Sequence, residues 1–318
     1  MSEILTYLAA DSLSPSTSKL LAAGSPAKLR NSTNRWVAIE EIAFPVEKLQ
    51  SNSTFGADVK CGIKSGSVLI ADDVPLWCMS EARRSPGLWR TDQSEQNPYF
   101  ENPFSYRPPC PILLPPGRSI EVSLSIDRAI QTLSGYTSLI ALVVPVGVVL
   151  HGYQVDAPGG AVPTPFVSKW LPSSMASGAI QIAESPNSAL ANPSPGQAEV
   201  SHLVGRVYSS GPYATPFAVP HDPRDDVYHT EIDTVQKYTT VRARLGDGTP
   251  VIRDPTPFAH VFGATDRTWP LHSHMGPGGR MIMQIYSDLR TVNFNASSLT
   301  FQIAMHGTRM CSAQELGA

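Results

Sequence analysis

The feature that most constrains this chain is that it repeats itself. VKCGIKSGSVLIADDVPL, starting at Val59, matches VRARLGDGTPVIRDPTPF, starting at Val241, at a constant offset of 182 residues. The match aligns Gly66 with Gly248, Ile70 with Ile252, Asp72 with Asp254 and Pro75 with Pro257. Both copies read as strand, glycine turn, strand and a proline-bounded turn, and Asp247-Gly248 tolerates the positive φ that a tight hairpin needs. A second block follows in the same order: PGRSIEVSLSID from Pro116 against PGGRMIMQIYSD from Pro277, at an offset of 161. Ile120, Val122 and Leu124 alternate with polar residues there, the period of a half-buried strand, and Met281, Met283 and Ile285 take the equivalent places. The drop in offset puts 21 extra residues in the first copy, within Ser80–Pro109. After each of these strands come an Asp (Asp127, Asp288) and a helix-compatible segment, DRAIQTL or DLRTV. A third block, SLIALVV from Ser138 against SLTFQIA from Ser298, ends each copy, followed by a His-Gly pair (His151-Gly152, His306-Gly307). A repeat of this order predicts two copies of one unit. Seven or eight short strands over roughly 120–150 residues suit a jelly roll or a related sandwich.

Three segments follow from this reading: 1–34, 35–156 and 157–318. Residues 1–34 read as an N-terminal arm. Ser14-Pro15 can cap and begin a short helix that Gly24 stops, and little in the segment can build a core. From Arg35 the texture changes to short apolar runs broken by Gly, Pro, Asn and Ser. APGGAVPTP at 157–165 marks the second boundary, and ESPNSALANPSPGQ at 184–197 reads as a surface loop. The arm is expected to be dispensable for folding. Its Leu5, Leu8, Leu20 and Leu21 call for a partner surface, and Lys19, Lys28 and Arg30 can add attraction to anionic headgroups.

Composition narrows the function. Charged residues make up 16% of the chain, against ~25% on average, and the net charge is −3. Such a chain lacks the clustered Lys and Arg that phosphate neutralisation needs, so direct sequence-specific nucleic-acid binding is not expected. The first residues, MSEILTYLAADSLS, show no secretory signal pattern. The most apolar run, Leu139–Leu150, is interrupted by Pro145 and Gly147 and is too short to span a bilayer as a helix. Cys61, Cys78, Cys110 and Cys311 form no CxxC pair and read as free thiols. The sequons at Asn31, Asn52 and Asn295 read as chance.

No constellation of catalytic residues emerges. His272 and His274 share one face of a strand, with His260 upstream, which is a metal-like spacing. The Glu that a cupin places after H-x-H is missing, and the first copy has Pro111 and Leu113 at the matching positions. GPGG at 276–279 precedes a strand and lacks the helix N-terminus that binds anions, so it reads as a tight turn. Asp225, Asp226, Glu231 and Asp233 read as a solvated loop; Trp77, Trp89, Trp170 and Trp269 read as caps on a sandwich core. The expectation is therefore no catalytic residue, no metal site and no cofactor. Depletion of charge is, by contrast, the compositional mark of subunit interfaces.

Across 35–318, through the blocks starting at Val59 and Val241, Pro116 and Pro277, and Ser138 and Ser298, the chain resembles the double jelly-roll major capsid proteins of tailless, membrane-containing bacteriophages and of adenoviruses. The resemblance implies an all-β fold of two tandem eight-stranded jelly-roll sandwiches, with short helices after the Asp127 and Asp288 strands and an N-terminal arm. It also implies a non-enzymatic structural protein of the virion, made in the host cytoplasm. Pseudo-hexagonal homotrimers would contact neighbouring capsomers and other capsid proteins in an icosahedral shell, with the arm near an internal membrane. Two other classes stay open: a carbohydrate- or receptor-binding jelly-roll spike, and a metal-dependent bicupin enzyme.

Overall fold

The computed structural model describes residues 3–9, 27–44, 59–79, 105–126, 147–172, 175–176, 179–210, 238–262, 268–290 and 298–317. The first half runs β1 (Glu3–Ala9), β2 (Ala27–Arg30), β3 (Trp36–Ala43), β4 (Val59–Ser65), β5 (Val68–Pro75), α1 (Leu76–Met79), β6 (Ser105–Tyr106), β7 (Ile112–Leu114), β8 (Ser119–Ile126) and β9 (Gly147–Val155). The second runs β10 (Val162–Trp170), β11 (Met175–Ala176), β12 (Ile180–Glu184), β13 (Ala198–Ser210), β14 (Thr239–Leu245), β15 (Pro250–Pro257), α2 (Phe258–Phe262), β16 (Thr268–Met275), β17 (Met281–Asp288) and β18 (Ser298–Cys311).

Strand order identifies the architecture. In the second half β10, β18, β13 and β16 are neighbours in one sheet, and β12, β17, β14 and β15 form the other. A jelly roll whose strands are lettered B to I along the chain has sheets B-I-D-G and C-H-E-F, and that is the order here. The first half repeats it: β1, β9, β3 and the β6/β7 pair form one sheet, and β2, β8, β4 and β5 are neighbours in the other. The protein is thus all-β, a double jelly roll. β9 ends at Val155 and β10 begins at Val162, so residues 156–161 join the two barrels.

The repeat read from the sequence lies on equivalent strands, with a refinement. β5 and β15 are both eight residues long at the 182 offset, and both run directly into a short helix. The preceding strands slip by two: Lys60 pairs with Pro75, whereas Thr240 pairs with Pro257. The two-residue turn at Gly66-Ser67 becomes four residues, 246–249, in the second copy. Gly66 and Gly248 both take positive φ, at 58° and 91°. In β17, Met281, Met283 and Ile285 are buried, as the alternation requires, and Ile120 and Val122 are buried in β8.

The His-Gly pair also has a structural meaning. His151 pairs with Glu41 and Gly152 with Ile39, across a one-residue bulge in β3. His306 pairs with His202 and Gly307 with Val200, across the same bulge in β13. Each bulge brings a carbonyl of the partner strand against the glycine: a Cβ on Gly152 would run into Ala38 O, and one on Gly307 into Glu199 O. Only glycine fits such an approach.

A second duplicated element carries no obvious sequence signal. Asn31 and Asn192, 161 residues apart, sit at the same corner of each barrel. Asn31 Nδ2 donates to the carbonyls of Arg35 (2.8 Å) and Leu114 (3.0 Å), and Oδ1 accepts from Thr33 N. Asn192 Nδ2 donates to Gly196 O (2.8 Å) and Gly276 O (2.9 Å), and Oδ1 accepts from Ser194 N. The backbone amides donate in the same way, Asn31 N to Arg118 O and Asn192 N to Gly279 O, each at 2.8 Å. One amide side chain thus ties the loop entering each D strand to the turn between the G and H strands.

Two expectations need correcting. Residues 1–34 do not form a separate arm throughout: β1 pairs with β9 from Glu3–Tyr153 to Ala9–Gly147, and β2 pairs with β8. These are the B and C strands of the first barrel, and backbone pairing supplies the order that their composition does not announce. Residues 10–26, with Lys19, Leu20 and Leu21, lie outside the described residues. Among the described residues, short helices follow β5 and β15. Leu289 and Arg290 are not helical, while 127–146 and 291–297, including the Ser138 block up to residue 146, lie outside the described residues. The stretch 184–197 is more than a surface loop: Ala189, Leu190, Asn192 and Ser194 are buried, and Leu190 packs in the second core. The Asn31 side chain, in one of the three sequons, is buried and bonded within the fold.

These contacts set measurable costs. Asn192→Ala removes the Nδ2 and Oδ1 bonds and leaves the buried Ser194 amide without its acceptor, so urea denaturation should show a loss of about 2–4 kcal/mol. Gly307→Ala should cost at least about 2 kcal/mol through overpacking against Glu199 O, whereas Gly276→Ala, whose Cβ would meet open space, should cost less than about 1 kcal/mol.

Candidate functional site: the seam between the two jelly rolls

Along β18 every residue from Phe301 to Gly307 is buried. Strand alternation divides them. Phe301, Ile303 and Met305 face the core of the second barrel, packed with Phe258, Met283 and Ile285. Gln302, Ala304 and His306 point the other way, and Ala304 belongs to the core of the first barrel. β10 behaves alike: Phe166 lies in the second core and Val167 in the first. The outer face of β18 and the adjoining part of β10 are therefore covered by the first barrel, while β16, at the far edge of the same sheet, keeps its outer face exposed. Cys311 and Leu316 complete the first core alongside Val74 and Cys78.

The backbone continues across the seam. β5 and β10 pair in parallel at Ala71–Val167, which fuses one sheet from each barrel into a single nine-stranded sheet. Lys169 Nζ donates to the carbonyls of Asp72 and Asp73, both at 2.7 Å. Asp73 has φ 49°, in the left-handed region that Asp tolerates, at the point where these two carbonyls converge. Partial burial pulls the Lys169 ammonium below the usual lysine value, opposed by the charges of Asp73 and Asp72. Arg309 spans the seam by donating to Leu69 O and Pro193 O, each at 3.1 Å. Ser67 donates from N and Oγ to Glu315 O, at 3.2 and 2.7 Å. A Cβ on Gly66 would lie 2.7 Å from Leu316 O, so this turn glycine serves both its φ and the close approach of the second barrel.

At the centre, α1 of the first barrel lies over β13 and β18. His306 Nε2 donates to Cys78 O at 2.8 Å. The His202 and His306 rings stack with centroids 4.4 Å apart and planes 14° from parallel. Tyr106 on β6 closes the group, its ring 6.0 Å from that of His306. Burial lowers His202 to about 4. Burial raises Tyr106 well above the usual tyrosine value, with Cys110 and Cys61 adding to the rise. Burial also raises the Cys61 thiol, helped by the charge of Asp73. Cys110 is pushed up to about 12, by burial first and by Cys311 second. These thiols and the phenol are protonated and unreactive at neutral pH. The seam is built to hold two bodies together and contains no activated nucleophile or acid–base pair among the described residues.

The residues weighed from the sequence as a metal site, an anion-binding turn or an aromatic face lie elsewhere. His272 and His274 share the exposed face of β16 and His260 is exposed on α2. His272 Nδ1 lies 3.7 Å from Glu199 Oε1. Among the described residues no group of three or more His, Cys, Asp or Glu could hold a metal ion. Gly276–Gly279 forms the turn before β17, with Gly278 at φ 63°. Trp170 is buried in the second core, Trp269 packs against it, and Trp77 lies on α1. Asp225, Asp226, Glu231, Asp233, Trp89, Asn52 and Asn295 lie outside the described residues. None of the four cysteines is in a disulfide. Among the described residues no helix is long and apolar enough to cross a membrane. The seam itself has no sequence signal, because His202, Tyr106 and Lys169 carry no motif and meet only through long-range packing.

The twice-repeated strand order defines a tandem jelly-roll protein. No family model matches the chain, and no curated protein matches it. Among solved structures it is similar to the major capsid protein P2 of bacteriophage PM2, with a TM-score of 0.40, 11% identity, and 97% of this chain and 98% of that one covered. It is also similar to a chain of the Sputnik virophage structure, with a TM-score of 0.35, 9% identity, and coverage of 99% and 90%. The fold assignment rests on strand order and pairing, independently of these likenesses.

Lys169→Met should keep the aliphatic stem and remove both bonds to Asp72 and Asp73. Its partial exposure moderates the effect, so chemical denaturation should show a loss of about 1–2 kcal/mol.

Proposed function

We propose that the chain is a structural protein of a virion, a major capsid protein without enzymatic activity. One observation carries the reading: the same jelly roll is built twice and the two barrels are fastened side by side through β18 and the β5–β10 pairing. Three such chains around an axis present six similar barrels, so a trimer has a nearly hexagonal outline and can tile a closed shell. The low charge fraction of 16% supports a surface of which much is covered by neighbours. The partners in this reading are further copies of the chain, adjoining capsomers and other capsid proteins, and the location is the virion, after synthesis in the host cytoplasm. The first barrel spans residues up to 156 and the second 157–318. Residues 3–9 and 27–30 are strands of the first barrel and not a free arm. No metal, cofactor or catalytic residue takes part.

Size-exclusion chromatography with light scattering should give a trimer of three times 34.3 kDa, and electron micrographs of material at high concentration should show shells or hexagonal arrays. A metal-loaded monomer with an activity lost in His274→Ala would overturn the reading in favour of a bicupin. A trimer that binds glycans and never forms arrays would favour a spike.

A further inference from the structure

The protons of the buried histidine pair can be placed from hydrogen-bond chemistry. Ser201 Oγ lies 3.0 Å from His306 O and 3.1 Å from His202 Nδ1. A carbonyl only accepts, so the hydroxyl's one proton goes to His306 O, and His202 Nδ1–H must donate to Ser201 Oγ. His202 Nε2 is then a bare lone pair, buried and without a hydrogen-bond partner among the described residues. His306 carries its proton on Nε2, facing Cys78 O.

Among the described residues, the elements around the pair offer His202 no compensating charge. α1 contributes Cys78, and β6 contributes Tyr106, with Cys61 of β4 acting on it. On β10, Val167 pairs with His306, and Lys169 is engaged with the Asp72 and Asp73 carbonyls of β5. On β16, Pro270 pairs with His202, while His272 is exposed and lies near Glu199 of β13. Desolvation is the cause of the low His202 value.

We propose that this stacked pair makes the docking of the two barrels acid-labile. A proton taken from water by His202 Nε2 finds no acceptor there and stands against a second imidazole 4.4 Å away. Hydrating that charge requires the seam to open, with α1 leaving β13 and β18. The sign follows from linkage. The folded value lies below the unfolded one of about 6.5, so the contribution of the neutral ring is complete above the unfolded value and is lost as pH falls from there toward 4. This goes beyond the capsid reading and does not depend on it, since the seam lies within one chain.

Hydrogen exchange on the full chain, corrected for the intrinsic pH dependence of exchange, tests it. Between pH 6.5 and 4.5, amides of 76–79 and 301–307 should lose protection by up to about tenfold per pH unit, the limit for one proton taken up. Amides of 281–285, in the remote sheet, should keep theirs. His202→Phe retains a stacking ring that cannot titrate and should abolish the loss. An equal loss in both segments, or the same loss in His202→Phe, overturns the proposal. Should that variant fail to fold, ring-proton NMR of the wild-type chain decides. A His202 ring that stays neutral until seam protection falls supports the proposal; titration near the ordinary histidine value with the seam still protected overturns it.

Discussion

Everything else in the molecule depends on the burial of β18 on both faces. A strand in an isolated sandwich shows one face to its core and the other to water. Here Phe301, Ile303 and Met305 fill one barrel while Gln302, Ala304 and His306 are sealed by the other. β18 and the adjoining part of β10 act as a wall shared by two cores. Burying an apolar side chain of this size is worth roughly 1.5–3 kcal/mol. The wall therefore supplies stability to both sides, and Lys169, Arg309 and Ser67 fix the angle at which they meet.

The duplication is legible in the sequence where chemistry demands a particular residue. Gly66 and Gly248 are needed for positive φ, and the alternation of Met281, Met283 and Ile285 is needed for a one-sided strand. The His-Gly pair is visible as a repeat, but its cause, a bulge in the partner strand, belongs to a pairing far away in the chain. Asn31 and Asn192 share an Asn followed two residues later by Thr or Ser at the 161 offset, a pattern short enough to arise by chance. β1 and β2 escape a sequence reading because short strands among Ser, Ala and Pro carry little periodicity, and their order comes from β9 and β8. The seam is out of reach for a related reason: Val167 and Ala71 are 96 residues apart, and no local pattern states that they pair.

The two copies have diverged where they meet. His151 and His306 hold the same place on the I strand, next to the same bulge, yet His151 is half-buried and His306 is enclosed. Opposite them stand Glu41 in the first copy and His202 in the second. Glu41 reaches Arg107 at 3.1 Å near the surface, whereas His202 stacks in the interior. One duplicated position is thus a solvated ion pair in one barrel and a neutral ring stack in the other.

The sharing of Ala304, Cys311 and Leu316 with the first core sets the order in which the chain can mature. A nascent chain emerges from the ribosome first barrel first, yet that barrel's interior is finished by residues that come after the whole of the second. Until they arrive, Val74, Cys78 and their neighbours lack part of their cover, and the exposed edge of β5 awaits β10. Folding of the first barrel is consequently coupled to synthesis of the second, and a ribosome-stalled first half is the species in need of chaperone protection.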